Sequence, residues 1–499
     1  MKRFGLVAIA AILMAGEAEG QPSTLERATP ESQGVPSEAV IGWFDSLMNV
    51  DATEIHGAML LRHGKVIGEM HPKPFRAEYG HTLFSCSKVF TAAAIGIAVG
   101  ENRLRVSDRV ATFFPELLPD SIGDWLAKLT IRDLLTMQSG YAPTDEVRTK
   151  ETEWVKKCLG GKMVAQPGER FAYDSMNTYL LSAIISRATG EKMVDYLRPR
   201  LFEPMGIDEE IWEESPEGIS CGGWGLYLKL ESMAKMGQLL LDEGRWGERQ
   251  ILPAEWAREM MTVHVEKEGY GYQTWRCEHH RTMRGDGAHG QFIIIMPDED
   301  MVAVITQCCN TLPPGVEERR LLFEGLLPTL SATPLKEGKG VKKLAKREAE
   351  YALPTAKGRA TSKKQNLKLG REMKLEKNKM GWETMTARME GGDLCLEVTT
   401  VRGEQETMRC GHGEWRESEG GTHFPPNSRG TTLGAFSNFE APFTACGSYG
   451  WSGDGELMVK IIFADWMSAM TIKMDINEEK PEFEVSLNID TKPFTIATK

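Results

Sequence analysis

Two pairs of apolar segments, placed far apart in the chain, constrain its fold most strongly. The pair at 56–61 and 65–70 flanks Arg62-His63-Gly64, and the pair at 291–296 and 301–306 flanks a polar turn, which is typical of β-hairpins. An amphipathic helical pattern precedes the first hairpin, another follows the second, and the sequence between the hairpins is mainly helical. This order predicts an α+β domain over about residues 24–335, with an antiparallel sheet covered by terminal helices.

The composition changes after this domain and predicts a different second part. Residues 336–365 are rich in lysine and arginine, with glycine and proline, which indicates a basic linker. We interpret this linker as a solvated tether rather than as a contact for an acidic surface or a membrane. Over 366–499, short apolar runs separated by glycine-rich turns predict a C-terminal all-β barrel or sandwich.

Residues 1–20 have the layout of a signal peptide. Lys2 and Arg3 precede an apolar run from Phe4 to Met14, and small and polar residues follow it. This run is too short to cross a bilayer comfortably, and the sequence has no second run of about 18 apolar residues. We therefore expect cleavage and export to the periplasm or the extracellular space, with a retained anchor as the alternative.

Charge and cysteine content exclude some classes of function. A net charge of -12 opposes binding to nucleic acid or to an anionic lipid surface. The nine cysteines do not indicate a disulfide framework, although export would permit bridges among three of them, Cys395, Cys410 and Cys446. The short cluster of Cys277, His279 and His280 lacks a second pair of ligands, so it is more typical of a loop than of a metal site.

The pattern Ser-x-x-Lys occurs twice, at Ser85–Lys88 and at Ser232–Lys235, so context must decide between them. Ser85 opens the apolar run 89–99, which predicts a buried helix whose first turn lies at a cleft. On such a helix the Lys88 amine could accept the Ser85 hydroxyl proton, and burial favours the neutral amine that this requires. The second pattern lies in an ordinary amphipathic stretch, where a surface serine and lysine are a sufficient interpretation.

Two further segments could complete a site around Ser85. Tyr173 lies at a predicted loop-to-helix junction, where it could serve as a second base or simply be a packed tyrosine. The glycine-rich stretch from Gly285 to Gln291 lies at the mouth of the second hairpin, where glycines permit close approach of a substrate. An exposed N–H there could join the N–H of Ser85 in an oxyanion hole, and a flexible loop is the alternative.

Five stretches stand in a fixed order: Leu83-Phe84-Ser85-Cys86-Ser87-Lys88, Asp133-Leu134-Leu135-Thr136-Met137-Gln138-Ser139-Gly140, Tyr173-Asp174-Ser175, Gly222-Gly223-Trp224-Gly225-Leu226 and Gly287-Ala288-His289-Gly290-Gln291. Together they resemble the β-lactamase-related serine hydrolases, which include class C β-lactamases, D-Ala-D-Ala carboxypeptidases, family VIII carboxylesterases and 6-aminohexanoate-dimer hydrolases. The resemblance covers about residues 30–330 and leaves the C-terminal part uncovered. It implies a β-lactamase-like antiparallel sheet flanked by helices, with a mainly helical subdomain.

The resemblance also implies roles for individual residues. Ser85 resembles the nucleophile that forms an acyl-enzyme, and Lys88 resembles its proton acceptor. Tyr173 resembles the residue that relays protons to the leaving group and activates the deacylating water. The backbone N–H groups of Ser85 and Ala288 resemble the oxyanion hole, and no metal or organic cofactor is implied.

Two departures from the family pattern narrow the substrate. Relatives usually carry Tyr-x-Asn, whereas this chain has Ser175 at the third place and Asn177 two residues later. Many relatives carry Lys-Thr-Gly or His-x-Gly before the oxyanion residue, where this chain has Gly285-Asp286-Gly287. A substrate carboxylate would then meet Asp286 rather than a cation, unless Arg284 or His289 compensates. The substrate-binding residues that we expect are Ser175, Asn177, Trp224, Gly287 and His289, although Trp224 could equally be structural.

The sequence therefore predicts an exported serine hydrolase that cleaves a small ester, amide or short peptide. The Gly-x-His-Gly-Gln form at 287–291 looks most like that of the 6-aminohexanoate-dimer hydrolase branch, which also contains esterases. The alternatives are a peptidoglycan D,D-peptidase or β-lactamase, and a catalytically silent binding protein. The intact set of Ser85, Lys88 and Tyr173 favours catalysis. We expect no nucleic-acid partner and no membrane span after signal cleavage, and the sequence does not indicate the oligomeric state.

Overall fold

The computed structural model describes residues 24–144, 146–310, 313–362, 369–419, 443–452, 455–476, 478–489 and 492–499. The predicted signal peptide, 1–20, lies outside the described residues. Within these ranges, no helix combines the length and the apolar character that a membrane crossing requires.

Among the described residues, the α-helices lie between residues 37 and 350, and the β-strands form two groups, one up to residue 309 and one from residue 372 onwards. The helices are α1 (Ser37–Leu47), α2 (Ser87–Gly100), α3 (Asp124–Lys128), α4 (Ile131–Leu135), α5 (Val147–Lys150), α6 (Trp154–Leu159), α7 (Ser175–Thr189), α8 (Met193–Leu197), α9 (Leu230–Leu241), α10 (Ala254–Met260), α11 (Val316–Arg320) and α12 (Gly340–Glu350). The strands up to residue 309 are β1 (Thr53–Arg62), β2 (Lys65–Met70), β3 (Gly80–Thr82), β4 (Ile211–Trp212), β5 (Leu226–Lys229), β6 (Arg245–Trp246), β7 (Arg249–Gln250), β8 (Trp275–Arg276), β9 (Met283–Gly287), β10 (Gln291–Met296) and β11 (Met301–Cys309). The later strands are β12 (Glu372–Lys374), β13 (Trp382–Glu390), β14 (Asp393–Thr400), β15 (Gln405–His412), β16 (Arg416–Glu419), β17 (Thr444–Ser452), β18 (Glu456–Phe463), β19 (Ala469–Asp475), β20 (Glu482–Leu487) and β21 (Phe494–Ala497).

The two predicted hairpins are confirmed, and they join to form the main sheet of the first part. Among the described residues its strand order is β2-β1-β11-β10-β9-β8, and the central pair β1 and β11 is antiparallel. Successive residues of β1 alternate between two buried clusters, with Ala58 and Leu60 facing α1 and with Met59 and Leu61 facing α2 and α9. Because helices cover both faces of this sheet, its central strands are continuous apolar runs in the sequence. This architecture confirms the predicted α+β class.

The C-terminal part is an all-β structure, as predicted. Its described strands form one curled sheet in the order β12-β13-β14-β15-β17-β18-β19-β20-β21, with β16 paired to β17, which makes a half-barrel. The backbone just after β12 also hydrogen-bonds to β21, with Glu376 N donating to Ala497 O at 2.8 Å. Alternating inward residues of the strands, including Leu396, Val459 and Ile472, fill the concave side.

The basic segment that we expected to be a solvated tether is docked on the first part over much of its length. Helix α12 places Leu344 in the cluster beneath α1, and the Arg347 guanidinium pairs with Asp45 at 2.9 Å. Tyr351 is buried in the same cluster, and backbone hydrogen bonds between Lys73 and the 351–353 segment extend the contact. The large apolar residues Leu344, Tyr351 and Leu353 are buried, but they are few, which is why the composition resembles a linker. The boundaries at 335 and 365 stay predictions.

Candidate active site

Ser85 lies in a short turn that leads directly into α2. Residues Phe84–Cys86 form a single 3-10 turn, so Ser85 precedes the first residue of α2. The Ser87 hydroxyl donates to the Phe84 carbonyl oxygen at 2.6 Å and accepts from Leu226 N at 3.1 Å, which fixes the turn against β5. Phe84 has a φ of 47°, in the left-handed region that costs a non-glycine residue about 1–2 kcal/mol. The packing around the turn therefore determines its conformation.

Lys88 lies one helical turn after Ser85 and its side chain is buried, with 1% of the residue exposed. Its Nζ is 3.1 Å from Ser85 Oγ and 3.0 Å from Ser175 Oγ, and it donates to Gly223 O at 2.6 Å. The amine is thus oriented by neutral oxygen atoms, and a neutral amine at this position can accept the Ser85 hydroxyl proton. The helical spacing predicted from the sequence brings these two side chains together.

Tyr173 lies beside this pair, at the start of α7. The Lys88 Nζ is 4.9 Å from the centroid of the Tyr173 ring, and 37% of Tyr173 is exposed. Trp275, at 5.5 Å between ring centroids, and the buried Tyr270, at 6.2 Å, support the ring from the other side. A partly exposed tyrosine next to the Ser85–Lys88 pair is placed to exchange protons with a bound substrate.

Asp174 explains why Tyr173 and Ser175 hold their positions. As the N-cap of α7, its Oδ1 accepts from Met176 N at 2.9 Å. Its Oδ2 accepts from the hydroxyl of Thr144 at 2.6 Å and from the backbone N of Thr144 at 2.9 Å. The cap therefore joins the start of α7 to a separate loop, and it fixes the two neighbouring residues that face Lys88.

Strand β9 brings the predicted oxyanion residue towards the turn Phe84–Cys86, which carries the predicted nucleophile Ser85 and is called the nucleophile turn below. A Cβ added to Gly287 would lie 2.5 Å from Leu83 O, and one added to Gly285 would lie 2.8 Å from a methyl group of Val89. Glycine at both places lets β9 pack directly on the turn and on α2. Ala288 follows immediately and is partly exposed, so its N–H belongs to the loop that borders Ser85.

The predicted substrate-binding residues have different surroundings. Ser175 contacts Lys88, whereas Asn177 is buried on another face of α7 with its Nδ2 3.7 Å from Met137 Sδ. Residues two positions apart on a helix do not share a face, which explains the difference. Trp224 is buried and donates to Glu213 Oε2 at 2.9 Å, which fits the structural alternative. His289 is buried too, with Nδ1 3.3 Å from Cys309 O and its ring 5.5 Å from that of Phe84.

Asp286 is not an isolated negative charge in the site. Its Oδ2 accepts from Arg284 Nε at 2.8 Å. Burial raises the pKa of the Asp286 carboxyl, and the guanidinium of Arg284 opposes this rise. The positive charge of Arg284 therefore compensates the negative charge of Asp286. Arg284 also donates to the carbonyl oxygen of Arg276 at 2.6 Å, which holds the guanidinium in place.

Sequence reasoning missed the role of Gly223, whose carbonyl oxygen orients the Lys88 amine. A Cβ on Gly223 would lie 2.6 Å from Ser175 O, so only glycine allows this segment to approach the start of α7. The Gly222-Gly223 pair was the available signal. The aromatic support from Tyr270 and Trp275 had no local signal, because these residues lie far along the chain from Tyr173.

The second Ser-x-x-Lys pattern is not on the surface, which corrects the sequence interpretation. Ser232 and Lys235 are both buried on α9. The Ser232 hydroxyl donates to Glu209 Oε1 at 2.5 Å, and Lys235 Nζ donates to Gly206 O at 2.8 Å. Both side chains therefore tie α9 to the loop at 206–209.

The cysteine and histidine candidates have separate partners. His279 pairs with Glu299 at 2.8 Å, and His280 pairs with Asp298 at 2.7 Å. The Cys277 thiol is buried next to Arg284. Within the described ranges, no group of three or more histidine, cysteine or acidic side chains is arranged to hold a metal ion, and all nine cysteines are buried free thiols.

Comparison with known proteins adds the following similarities. The sequence profile of the Beta-lactamase family matches residues 44–326. A 6-aminohexanoate-dimer hydrolase from Paenarthrobacter ureafaciens is 24% identical over 314 residues, which cover 56% of this chain and 80% of that protein. A penicillin-binding protein homologue from Caulobacter crescentus has a TM-score of 0.49 at 18% identity, covering 59% of this chain and 97% of the other. An octameric penicillin-binding protein homologue from Pyrococcus abyssi has a TM-score of 0.47 at 16% identity, covering 92% and 99%.

Proposed function

Since the chain belongs to the Beta-lactamase family, whose members are serine hydrolases, we propose that it cleaves a small ester or amide through an acyl-enzyme on Ser85. The observation that carries this proposal is the 3.1 Å distance between Ser85 Oγ and the buried amine of Lys88. Few structural roles require a buried lysine beside a partly exposed serine, whereas proton abstraction from a nucleophile does.

The reaction proceeds in two steps that use the same groups. In the first step, Ser85 Oγ attacks the substrate carbonyl carbon while neutral Lys88 accepts the hydroxyl proton. The backbone N–H groups of Ser85 and Ala288 stabilise the oxyanion, and as this intermediate collapses to the acyl-enzyme Tyr173 relays the proton held by Lys88 to the departing alcohol or amine. In the second step, water attacks the acyl carbonyl and gives up one proton to the same side chains, which pass it to Ser85 Oγ as the bond to Ser85 breaks and the carboxylic acid leaves.

The surroundings of the site favour a substrate without a carboxylate next to the scissile bond. The predicted carboxylate-binding position holds Gly285 and the Arg284–Asp286 ion pair (2.8 Å) instead of a single cation. The similarity to a 6-aminohexanoate-dimer hydrolase agrees with an amide or ester substrate. The signal-peptide pattern at 1–20 supports export as part of this proposal.

An activity-based probe tests the proposal. We expect a fluorophosphonate to label the protein at Ser85, p-nitrophenyl butyrate to be hydrolysed, and both reactions to be lost in Ser85→Ala and Lys88→Met. The second Ser-x-x-Lys pattern provides matched controls, because Ser232→Ala and Lys235→Met remove the same residue types and should leave labelling intact. Ester turnover that survives Ser85→Ala would overturn the proposal.

Labelled penicillin distinguishes the remaining alternatives. Stable penicillin labelling of Ser85 would favour the D,D-peptidase function, and rapid penicillin turnover would favour the β-lactamase function. A folded protein that none of the probes labels would be the silent binding protein.

A further inference from the structure

We infer that the C-terminal half-barrel is a positioning element of the active site, acting through Trp466 and Tyr227 on the turn that carries Ser85. This inference rests on the proposed role of Ser85. It assigns to the C-terminal part a function in the reaction, which the family match at 44–326 does not cover.

Tyr227 is the residue through which β5 contacts the half-barrel. Its hydroxyl donates to Asp465 O at 2.8 Å, and its ring stacks on Trp466 with 6.1 Å between centroids and 19° between planes. Trp466 also packs edge-on against Phe443, within the half-barrel cluster. The side chain of Tyr227 thus belongs to the core of the C-terminal part, although its backbone belongs to the first part.

The backbone around Tyr227 holds the nucleophile turn from both sides. Leu226 O accepts from Leu83 N at 2.9 Å, before the turn, and Leu226 N donates to the Ser87 hydroxyl at 3.1 Å, after the turn. Strand β5 also pairs with β3, where Tyr227 lies opposite Thr82. A shift of Tyr227 would therefore move the backbone that contains Ser85.

The same segment also orients the proposed base. Gly223, a few residues before β5, accepts from Lys88 Nζ at 2.6 Å. In the 223–227 segment, Gly223 at one end therefore contacts Lys88, and Tyr227 at the other end contacts Trp466. The distance between Ser85 Oγ and Lys88 Nζ depends on both ends.

The half-barrel also contacts the other flank of the site. Phe84, in its left-handed conformation, packs against the cluster that joins Tyr227 and Cys308 to the half-barrel core. The Cys308 thiol donates to Asn488 O at 3.5 Å, and the next residue, Cys309, hydrogen-bonds to His289 in the oxyanion loop. The nucleophile turn thus contacts the half-barrel cluster directly through Phe84, and the oxyanion loop is connected to it through Cys309 and the neighbouring Cys308.

The test compares two tryptophan variants of the full-length protein. Trp466→Ala removes the stacking partner of Tyr227, whereas Trp451→Ala removes an equally large buried ring at the opposite end of β17 and β18 and serves as the matched control. At a temperature where both variants are folded, we expect Trp466→Ala to lower the rate of Ser85 labelling and kcat about ten-fold with KM unchanged, because small displacements of reacting groups are costly. Trp451→Ala should stay within about two-fold of the wild type.

Two conservative variants distinguish a positioning role from a general loss of stability. Trp466→Phe keeps a stacking ring and should restore most of the labelling rate, while Tyr227→Phe keeps its own ring, removes the hydroxyl that donates to Asp465 O, and should have an intermediate rate. Equal losses in Trp466→Ala and Trp451→Ala, or wild-type labelling in Trp466→Ala, would overturn the inference. If the wild-type protein itself is not labelled at Ser85, the proposed function fails instead.

Discussion

At the scale of single residues, the surroundings of Lys88 separate this chain from the usual pattern of its family. The third place of the Tyr-x-Asn pattern, two residues after Tyr173, holds Ser175, and its hydroxyl is 3.0 Å from Lys88 Nζ. Because Gly223 packs tightly against Ser175, only a small side chain fits at position 175. We therefore propose that Ser175 orients the Lys88 amine.

Replacing Ser175 by alanine tests this role. Ser175→Ala removes one oxygen that orients the Lys88 amine, so we expect kcat/KM for p-nitrophenyl butyrate to fall about ten-fold. Thermal unfolding should change little. Ser182→Ala is the matched control, because it removes another buried hydroxyl of α7 that donates to Ser220 O at 2.7 Å and does not touch Lys88. Equal activity losses in the two variants would contradict the assignment.

The sequence could predict the Ser85–Lys88 contact because both residues lie on one local element. It also offered Arg284 as a charge that could compensate Asp286, and the two form an ion pair at 2.8 Å. It could not predict the burial of Ser232, since that depends on which segments pack together in the folded chain. Asn177 is an intermediate case. Its separation from Ser175 along α7 already implies a different face, and helical geometry alone would have excluded it from the position next to Lys88.

At the scale of elements, the apolar periodicity predicted the hairpins and the long helices, whereas α12 was hidden by its lysines. Lys342, Lys343 and Lys346 lie on its exposed side and the exposed Lys339 precedes it, so the composition resembles a tether. Its inward side carries Leu344 and the polar residue Glu348, whose role becomes visible only next to β2. Glu348 Oε1 accepts from the backbone N of Glu69 at 3.0 Å.

The docking of α12 should make the stability of the protein depend on pH. Burial and the adjacent Glu69 carboxylate raise the pKa of Glu348 to about 7. An unfolded glutamate has a pKa of about 4.3, so the unfolded chain loses this proton first as the pH rises. The free energy of unfolding should therefore fall between about pH 4.5 and pH 7, and it should stay lower above that range.

Glu348→Gln removes this titration and retains an oxygen that can accept from Glu69 N. We expect the variant to be more stable than the wild type at pH 8, by on the order of 1 kcal/mol, and to lose this advantage at pH 4.5. Urea unfolding at several pH values measures the difference. Glu350→Gln on the same helix is the control, because Glu350 is exposed and pairs only weakly with Lys346 at 3.7 Å. A gain that does not vary with pH would contradict the argument.

At the scale of the whole molecule, the chain is more integrated than its sequence suggests. The composition break at 336–365 predicts two independent parts, yet Tyr227 and Cys308 of the first part lie in the core cluster of the second. The ion pair between Glu54 and Lys460, at 2.8 Å, also crosses this interface. No local sequence pattern predicts this interface, because the residues that meet across it are far apart in the chain. Apolar residues such as Tyr227 and Cys308 would also fit either core.

Removing the half-barrel should therefore disable the first part rather than release an active hydrolase. A chain that ends at residue 364 would expose Tyr227, Phe84 and Cys308, and it would leave Glu54 without Lys460. A contiguous exposed apolar surface of this kind promotes aggregation and local rearrangement. We expect residues 24–364, expressed beside 24–499, to be largely insoluble or to bind a dye for exposed apolar surface, and to show little fluorophosphonate labelling of Ser85. A soluble monomer with the labelling rate of the full chain would show that the first part is an autonomous domain and that its contacts with the half-barrel are incidental.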